Sequence, residues 1–451
     1  MDNNFMKEKK ILPLVISMSL PMVVSMAVNS LYNIVDSYFV AKISEDAMTA
    51  LSLVYPVQSL MTAIAVGFGI GMNARIAYCL GAGRKKEADE AAVTGLLLSA
   101  VHGVLLMIIC ILGMRWFLSL YTDNEELIEM GLAYANRAFL FSVVIMLGIS
   151  LEKVFQAVGR MNSTMVCMLL GFITNIVLDP IMIFGLLGCP KMGMSGAAYA
   201  TGIGQSVTLL AYVAALIISP LPVSFSKRNI SFNKELMKKL YLVGIPASLN
   251  MALPSVLISS LNGILAAFSD KYVLVLGAYY KLQTFIYLSA NGIIQGIRPL
   301  VSFNYGAGEN GRVHKIFNTS LALTSGIMAL GVALSFIIPD KMIGLFTENP
   351  DTVQIGVKAL HIICTGFIFS AMSVTCCGVL EALGKGIESL VVSFLRYAMI
   401  IIPAAYVLSK FLGAQGVFFA FPVAEGLTAV ASFFILSLIH ISEPTRLRRI
   451  S

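Results

Sequence analysis

The 451-residue chain is 58% hydrophobic and only 12% charged, with a net charge of +7 and a mean hydropathy of +0.86. Soluble domains carry roughly 25% charged residues; a surface this poor in charge cannot be kept in water, so lipid solvates most of it. A soluble enzyme is excluded, and so is a nucleic-acid-binding module, because the basic residues scatter over many loops rather than forming a patch.

In chain order, the apolar stretches predict spans at about 14–38, 47–74, 92–114, 132–157, 163–187, 195–218, 240–265, 273–298, 317–338, 358–383, 389–410 and 415–439. Each is near the roughly 20 residues an α-helix needs to cross hydrocarbon. Only helices and closed barrels satisfy their backbone in lipid, and the period-2 alternation of barrel strands is absent. The first apolar run is too long for a cleaved leader and no small-residue site follows it, so it is expected to remain as a span. With the N-terminus inside, the inner loops hold Lys7, Lys9, Lys10, Arg84, Lys85, Lys86, Arg160, Lys227, Arg228, Lys234, Lys238, Lys239, Arg312, Lys315 and Lys385. The outer loops hold only Lys42, Arg115, Lys191, Lys271, Lys341 and Lys410. This positive-inside bias puts both termini in the cytoplasm of a cell (inner) membrane protein. The seven cysteines lack metal-ligand spacing with His and read as small packing residues.

An internal repeat organises the chain. Adding 225 to a residue number carries Pro21 to Pro246, Met26 to Met251, Gln58 to Gln283, Gly81-Ala82-Gly83 to Gly306-Ala307-Gly308, Asn124 to Asn349, and Gly159 to Gly384. The register slips only in the fifth and sixth spans of each half. Six spans per copy is even, so the copies share one orientation and a pseudo-twofold axis along the membrane normal. The expected architecture is an all-α membrane protein with twelve transmembrane helices in two six-helix lobes. Residues 1–218 form the first lobe, 219–239 a cytoplasmic linker and 240–435 the second lobe. Residues 436–451 abandon the pattern of the last span and resemble a translated adapter, so they are expected to be non-native.

Ionisable groups at bilayer depth cost several kcal/mol, about 2.5–3.5 on insertion scales, so each needs a reason. Ser25, Asn29, Asn33 and Asp36 lie at helical spacing on one face of the first span. Asn175 and Asp179 share a face of the fifth span, and Thr201 lies at similar depth in the sixth. Two carboxylates with amide and hydroxyl oxygens suit a hard cation such as Na+, or a shared proton. The repeat sends Asp36 to Leu261, so this feature belongs to the first half alone. Glu152, Gln156, Gln283, Glu381 and Arg396, with Asn33, are candidates for substrate contact or a secondary polar site. Glu381 is expected near a helix end, where it can snorkel. Arg396 is expected to pair with a buried acid, and Glu152 with Lys153. No P-loop, H-E-x-x-H or G-x-S-x-G pattern appears, so neither an ATPase nor a membrane hydrolase has support.

At these residues the chain resembles the multidrug and toxic compound extrusion family. The resemblance rests on Pro21 with Asp36, Leu80-Gly81-Ala82-Gly83, Phe155-Gln156-Ala157 with Gly159-Arg160, and Asn175 with Asp179-Pro180. In the second half it rests on Pro299, Asn304-Tyr305-Gly306-Ala307 and Gly384-Lys385. It implies two lobes in a V and efflux of small amphipathic cations in exchange for H+ or Na+. It also implies a cation or proton site at Asp36, Asn175, Asp179 and Thr201, no cofactor, no nucleic acid, and a monomer in the lipid bilayer. Some members use an acid in the seventh span, where this chain has Asn250. The nearest rival is a flippase for lipid-linked sugars, which needs cations in its cavity. A polytopic membrane enzyme is the other alternative and needs a catalytic cluster, which is not seen.

Overall fold

The computed structural model describes residues 5–447, with side chains up to Ser437. A short helix α1 (Phe5–Glu8) precedes α2 (Ile11–Ala41), α3 (Glu45–Gly81), α4 (Lys85–Ser119), α5 (Glu125–Leu140), α6 (Ser142–Ala157), α7 (Met161–Phe184) and α8 (Met194–Ile218). The second half follows as α9 (Lys234–Ala266), α10 (Asp270–Gly306), α11 (Asn310–Ile337), a short α12 (Pro339–Gly344), α13 (Pro350–Cys364) and α14 (Phe367–Ala382). It closes with α15 (Gly386–Phe394), a π-helical turn at Leu395–Ile401, α16 (Ile402–Leu412) and α17 (Ala414–Leu447). No strand occurs among the described residues.

Nine described helices or helix runs are long and apolar enough to cross a membrane, and two bent pairs bring the number to eleven. The twelfth span is α10, whose 37 residues include Lys281 and Arg298. Leu112, Ile218 and Phe411 are each 78% or more exposed, as a lipid-facing surface requires.

The structure departs from the sequence reading in four places. The fourth and tenth spans are not single helices. They start earlier and bend, by 50° between α5 and α6 and by 53° between α13 and α14. At each bend a hydroxyl takes a helix carbonyl: Ser142 Oγ donates to Phe139 O, and Thr365 Oγ1 to Ile362 O, both at 2.7 Å. The segment 219–239 is not all linker, since α9 begins at Lys234. The eleventh span is interrupted by the π-helical turn around Arg396. The suspected non-native tail 436–451 lies outside the described residues beyond Leu447, and outside the described side chains beyond Ser437.

Local signals repeat with the sequence register. Ser44 caps α3 through the Ala47 N–H, and its counterpart Ser269 caps α10 through the Lys271 N–H. Asn124 and Asn349 cap α5 and α13 in the same way. Gly83 and Gly308 take φ of +71° and +75°, closing α3 and α10 in the left-handed conformation that only glycine adopts without strain.

The two halves meet through reciprocal glycine contacts. A Cβ on Gly81 would lie 1.9 Å from Phe303 O, and one on Gly306 would lie 2.1 Å from Tyr78 O. Phe303 is Tyr78 plus 225, and Gly306 is Gly81 plus 225, so α3 and α10 cross on the pseudo-twofold axis. Gly67 and Gly71 pack on Gly244 and Leu240 of α9, and their counterparts Gly292 and Gly296 pack on Val23 and Ser19 of α2. All of these lie in the half of the molecule nearest the 81–83 and 306–308 turns. The short α1 joins the same end, where Asn304 Nδ2 donates to Met6 O at 3.1 Å and Arg312 Nη2 to Lys9 O at 2.8 Å.

Candidate functional site

Asp36 on α2, Asn175 and Asp179 on α7, and Thr201 on α8 converge inside the first lobe, where these three helices pack on one another. Asp179 is fully buried, and Asn175 and Asp36 are buried as well. Asn175 Nδ2 donates to Thr201 Oγ1 at 3.3 Å and reaches Asp179 Oδ1 only at 3.5 Å. Asp36 is within Coulombic range of Asp179. Pro180 inside α7 lacks an N–H, so it leaves the carbonyl one turn earlier without its helical partner.

Three oxygens in this set have no hydrogen-bond donor: Asp36 Oδ1, Asn175 Oδ1 and Asp179 Oδ2. Burying a carboxylate without a partner costs several kcal/mol. The arrangement can relieve that cost by taking up a proton, or a hard cation that prefers oxygen ligands. The donor set fits either group. Among the described residues no three His, Cys, Asp or Glu side chains cluster as a metal site, since the set has two carboxylates only.

Sequence reasoning missed three members. Tyr32 and Tyr134 lie within electrostatic range of both acids. Gln58 Nε2 donates to Tyr134 Oη at 3.0 Å, and Tyr32 stacks on Phe172 with centroids 5.4 Å apart. Tyr32 precedes Asp36 by four residues, so helical spacing could have found it. Tyr134 comes from another helix, and no local signal marks it. Asn33, by contrast, is exposed and its Nδ2 donates to Asn29 O at 2.8 Å, so it stands outside the buried set. Ser25 is spent within its own helix, donating to Pro21 O at 2.8 Å.

The second lobe carries nothing like this at the repeat positions. Tyr32, Asp36 and Tyr134 become Leu257, Leu261 and Ala359, all inside one apolar cluster. Its buried charges sit elsewhere. Glu381 does not snorkel: it is 4% exposed and accepts from Arg298 Nη2 at 2.7 Å and Asn250 Nδ2 at 3.2 Å. Glu381 does lie at the end of α14, one residue before Ala382, but α10 runs on past it and Arg298 meets the carboxylate before it can reach the interface. Arg396 pairs with Glu425 through Nε at 2.9 Å and stacks over Tyr397 at 5.0 Å. Gln283 is half-buried on α10. Between the lobes, Lys153 Nζ donates to Glu152 Oε1 at 2.7 Å and to Gln156 Oε1 at 3.2 Å. Of the second group of candidates, the structure brings only Glu152 and Gln156 together.

Comparison with known proteins bears on this arrangement. The MatE family model matches residues 21–181 and 246–407, one copy in each half. The multidrug export protein MepA of Staphylococcus aureus (strain MSSA476) is 26% identical over 423 residues, covering 94% of this chain and 92% of that protein. MepA of Staphylococcus haemolyticus (strain JCSC1435) is 24% identical, with 96% and 94% covered. Among solved structures, MATE in the bent conformation superposes with a TM-score of 0.91 at 24% identity, covering 98% of this chain and 99% of that one. An outward-facing multidrug resistance MATE transporter of the MOP superfamily gives 0.90 at 24% identity, with 98% and 99% covered. A MOP superfamily transporter from Pyrococcus furiosus Vc1 (DSM3638), described by a binding pocket of reverse polarity, gives 0.89 at 23% identity, with 96% and 97% covered.

Proposed function

The chain belongs to the multidrug and toxic compound extrusion family, MatE, and on that premise we propose that it exports amphipathic organic cations in exchange for H+ or Na+ bound at Asp36 and Asp179. It is a multi-pass membrane protein and a transporter rather than an enzyme. The observation that carries the coupling assignment is charge balance. The buried cations Lys153 and Arg396 and the partly buried Arg298 each have an acid of their own in Glu152, Glu425 and Glu381. Asp36 and Asp179 have none, and they leave two carboxylate oxygens without a donor. That balance favours a cationic substrate over the anionic lipid-linked sugar of a flippase.

The lobes join at the end of the 81–83 and 306–308 turns. With positive loops inside, that end is cytoplasmic, the protein works as a monomer in the cell membrane, and the described state opens outward. An external H+ or Na+ reaches the first lobe, cancels one of the two negative charges of the Asp36 and Asp179 pair, and lets α2 repack against α7. The repacking loosens the hold on the drug, which leaves outside; the lobes then rock to open inward. Linkage makes this reciprocal: the ion weakens drug binding and the drug weakens ion binding by the same factor. Asn175 and Thr201 supply neutral oxygens, and Tyr32, Gln58 and Tyr134 hold the pocket's shape. The experiment is drug efflux from proteoliposomes under an imposed pH or Na+ gradient. One of the two gradients drives efflux in the wild type, and neither drives it in the Asp36→Asn, Asp179→Asn double variant. Gradient-driven efflux by that folded double variant overturns the assignment.

A further inference from the structure

A second polar set, which the coupling acids do not use, lies where the two lobes touch. Lys153 on α6 is buried there, and an ammonium has three donors to place. All three meet oxygen: Glu152 Oε1 at 2.7 Å, Gln156 Oε1 at 3.2 Å and Gln295 Oε1 at 3.4 Å, the last from α10 of the other lobe. Glu152 Oε1 also accepts from Gln156 Nε2 at 2.8 Å. Thioethers complete the walls, with Met22 Sδ 3.3 Å from Gln156 Nε2 and Met26 Sδ 3.5 Å from Gln295 Nε2. Methionine repacks around varied shapes. These groups make a built ammonium site: one carboxylate, two amide oxygens and two adaptable apolar walls, holding a cation that the chain itself supplies.

The fold does not require the pair. The repeat carries Glu152 to Cys377 and Lys153 to Gly378, and a Cβ on Gly378 would lie 2.3 Å from Ile294 Cγ2. The second lobe thus builds the same helix position with no charge and no room for a lysine. Access also favours the acid, since the Glu152 side chain keeps 11% exposure against 4% for Lys153.

We propose that Glu152, Gln156 and Gln295 form a subsite for the ammonium group of an organic-cation substrate between the lobes, with Lys153 as the resident cation that the substrate displaces. An incoming ammonium takes Glu152 from Lys153. Lys153 then gives up its bond to Gln295, which is a tie between the lobes. Substrate binding is thereby linked to separation of the lobes at this end, and the linkage is reciprocal. One acid serves one cation, so Lys153 also sets the threshold that discriminates against weak or neutral ligands.

This inference rests on the reading that substrates are cationic, but its test needs no ion gradient. The purified full-length protein is titrated with dansylcadaverine, a primary ammonium, and with its neutral N-acetyl derivative. Losing a charge-assisted contact in a half-buried setting is worth about tenfold or more in affinity. Glu152→Gln is expected to weaken dansylcadaverine by that factor and to leave the acetyl derivative unchanged. Lys153→Gln removes the competitor, so it is expected to tighten dansylcadaverine and again leave the acetyl derivative alone. If Glu152→Gln does not fold with Lys153 left unpaired, the Glu152→Gln, Lys153→Gln double variant replaces it and is expected to show the same weakening. Wild-type affinity for dansylcadaverine in the folded acid-less variant overturns the proposal, as does equal tightening of both probes in Lys153→Gln. Failure of the coupling assignment has a different signature: gradient-driven efflux surviving the loss of Asp36 and Asp179.

Discussion

Asp36→Asn and Asp179→Asn keep the shape of each side chain and remove the charge that has no partner. Each single variant is expected to abolish gradient-driven efflux, and to melt no lower than the wild type because an uncompensated buried carboxylate has gone. Asn175→Ala and Thr201→Ala lose neutral oxygens only, so efflux is expected to fall but persist. Proteoliposome efflux with a thermal melt on each sample checks both. Glu381→Gln behaves in the opposite sense. It leaves the partly buried Arg298 without its carboxylate, which costs about 1–3 kcal/mol. The melting temperature is therefore expected to drop, and Arg298→Met on top of it is expected to restore much of the loss. At this scale the acids were legible in the sequence, because a carboxylate inside an apolar run is anomalous wherever it points. Of their companions, Asn175 and Thr201 were read from polar residues at similar depth, Tyr32 was missed although it stands one turn before Asp36, and Gln58 and Tyr134 come from other helices with no local signal. The Glu381 environment was misread for the same reason, since its partner Arg298 is 83 residues away.

Helices α3 and α10 cross with Gly81 against Phe303 O and Gly306 against Tyr78 O, and no side chain fits at either point. Gly81→Val and Gly306→Val are expected to force the lobes apart at this end. Spin labels at Arg84 and Glu309 then report a longer distance in each variant. Gly83→Ala is the control: at φ +71° it strains the turn by about 1 kcal/mol, but nothing lies within 4 Å of its Cβ. The label distance is expected to stay at the wild-type value. The turns on both sides of this crossing were readable as repeated Gly-Ala-Gly. The crossing itself was not, because small residues in a membrane helix mark any close approach and do not say which helix approaches. The bends in the fourth and tenth spans were likewise hidden. Hydropathy averages over a window and cannot see a single hydroxyl taking a carbonyl at Ser142 or Thr365.

At the scale of the whole molecule the reciprocal glycine contacts between the halves lie toward the 81–83 and 306–308 turns, and the proposed orientation rests on the loop charges. In a Cys-free background, a cysteine at Lys86 is expected to resist an impermeant reagent added outside cells, and one at Asn124 to react. Reaction at Lys86 reverses the orientation and with it the direction in which the described state opens. The sequence by itself determined the class, the two-copy plan and the presence of two acids at bilayer depth in the first half. Hydrophobic transfer, chain register and the cost of a buried charge are all properties of residues counted along the chain. Only the tertiary structure decided which charges are balanced. It gave Glu381 to Arg298 and Glu425 to Arg396, kept Glu152 with its neighbour Lys153, and left Asp36 Oδ1 and Asp179 Oδ2 without a donor. Pairing across helices depends on rotation and depth of packed elements, and a one-dimensional pattern carries neither.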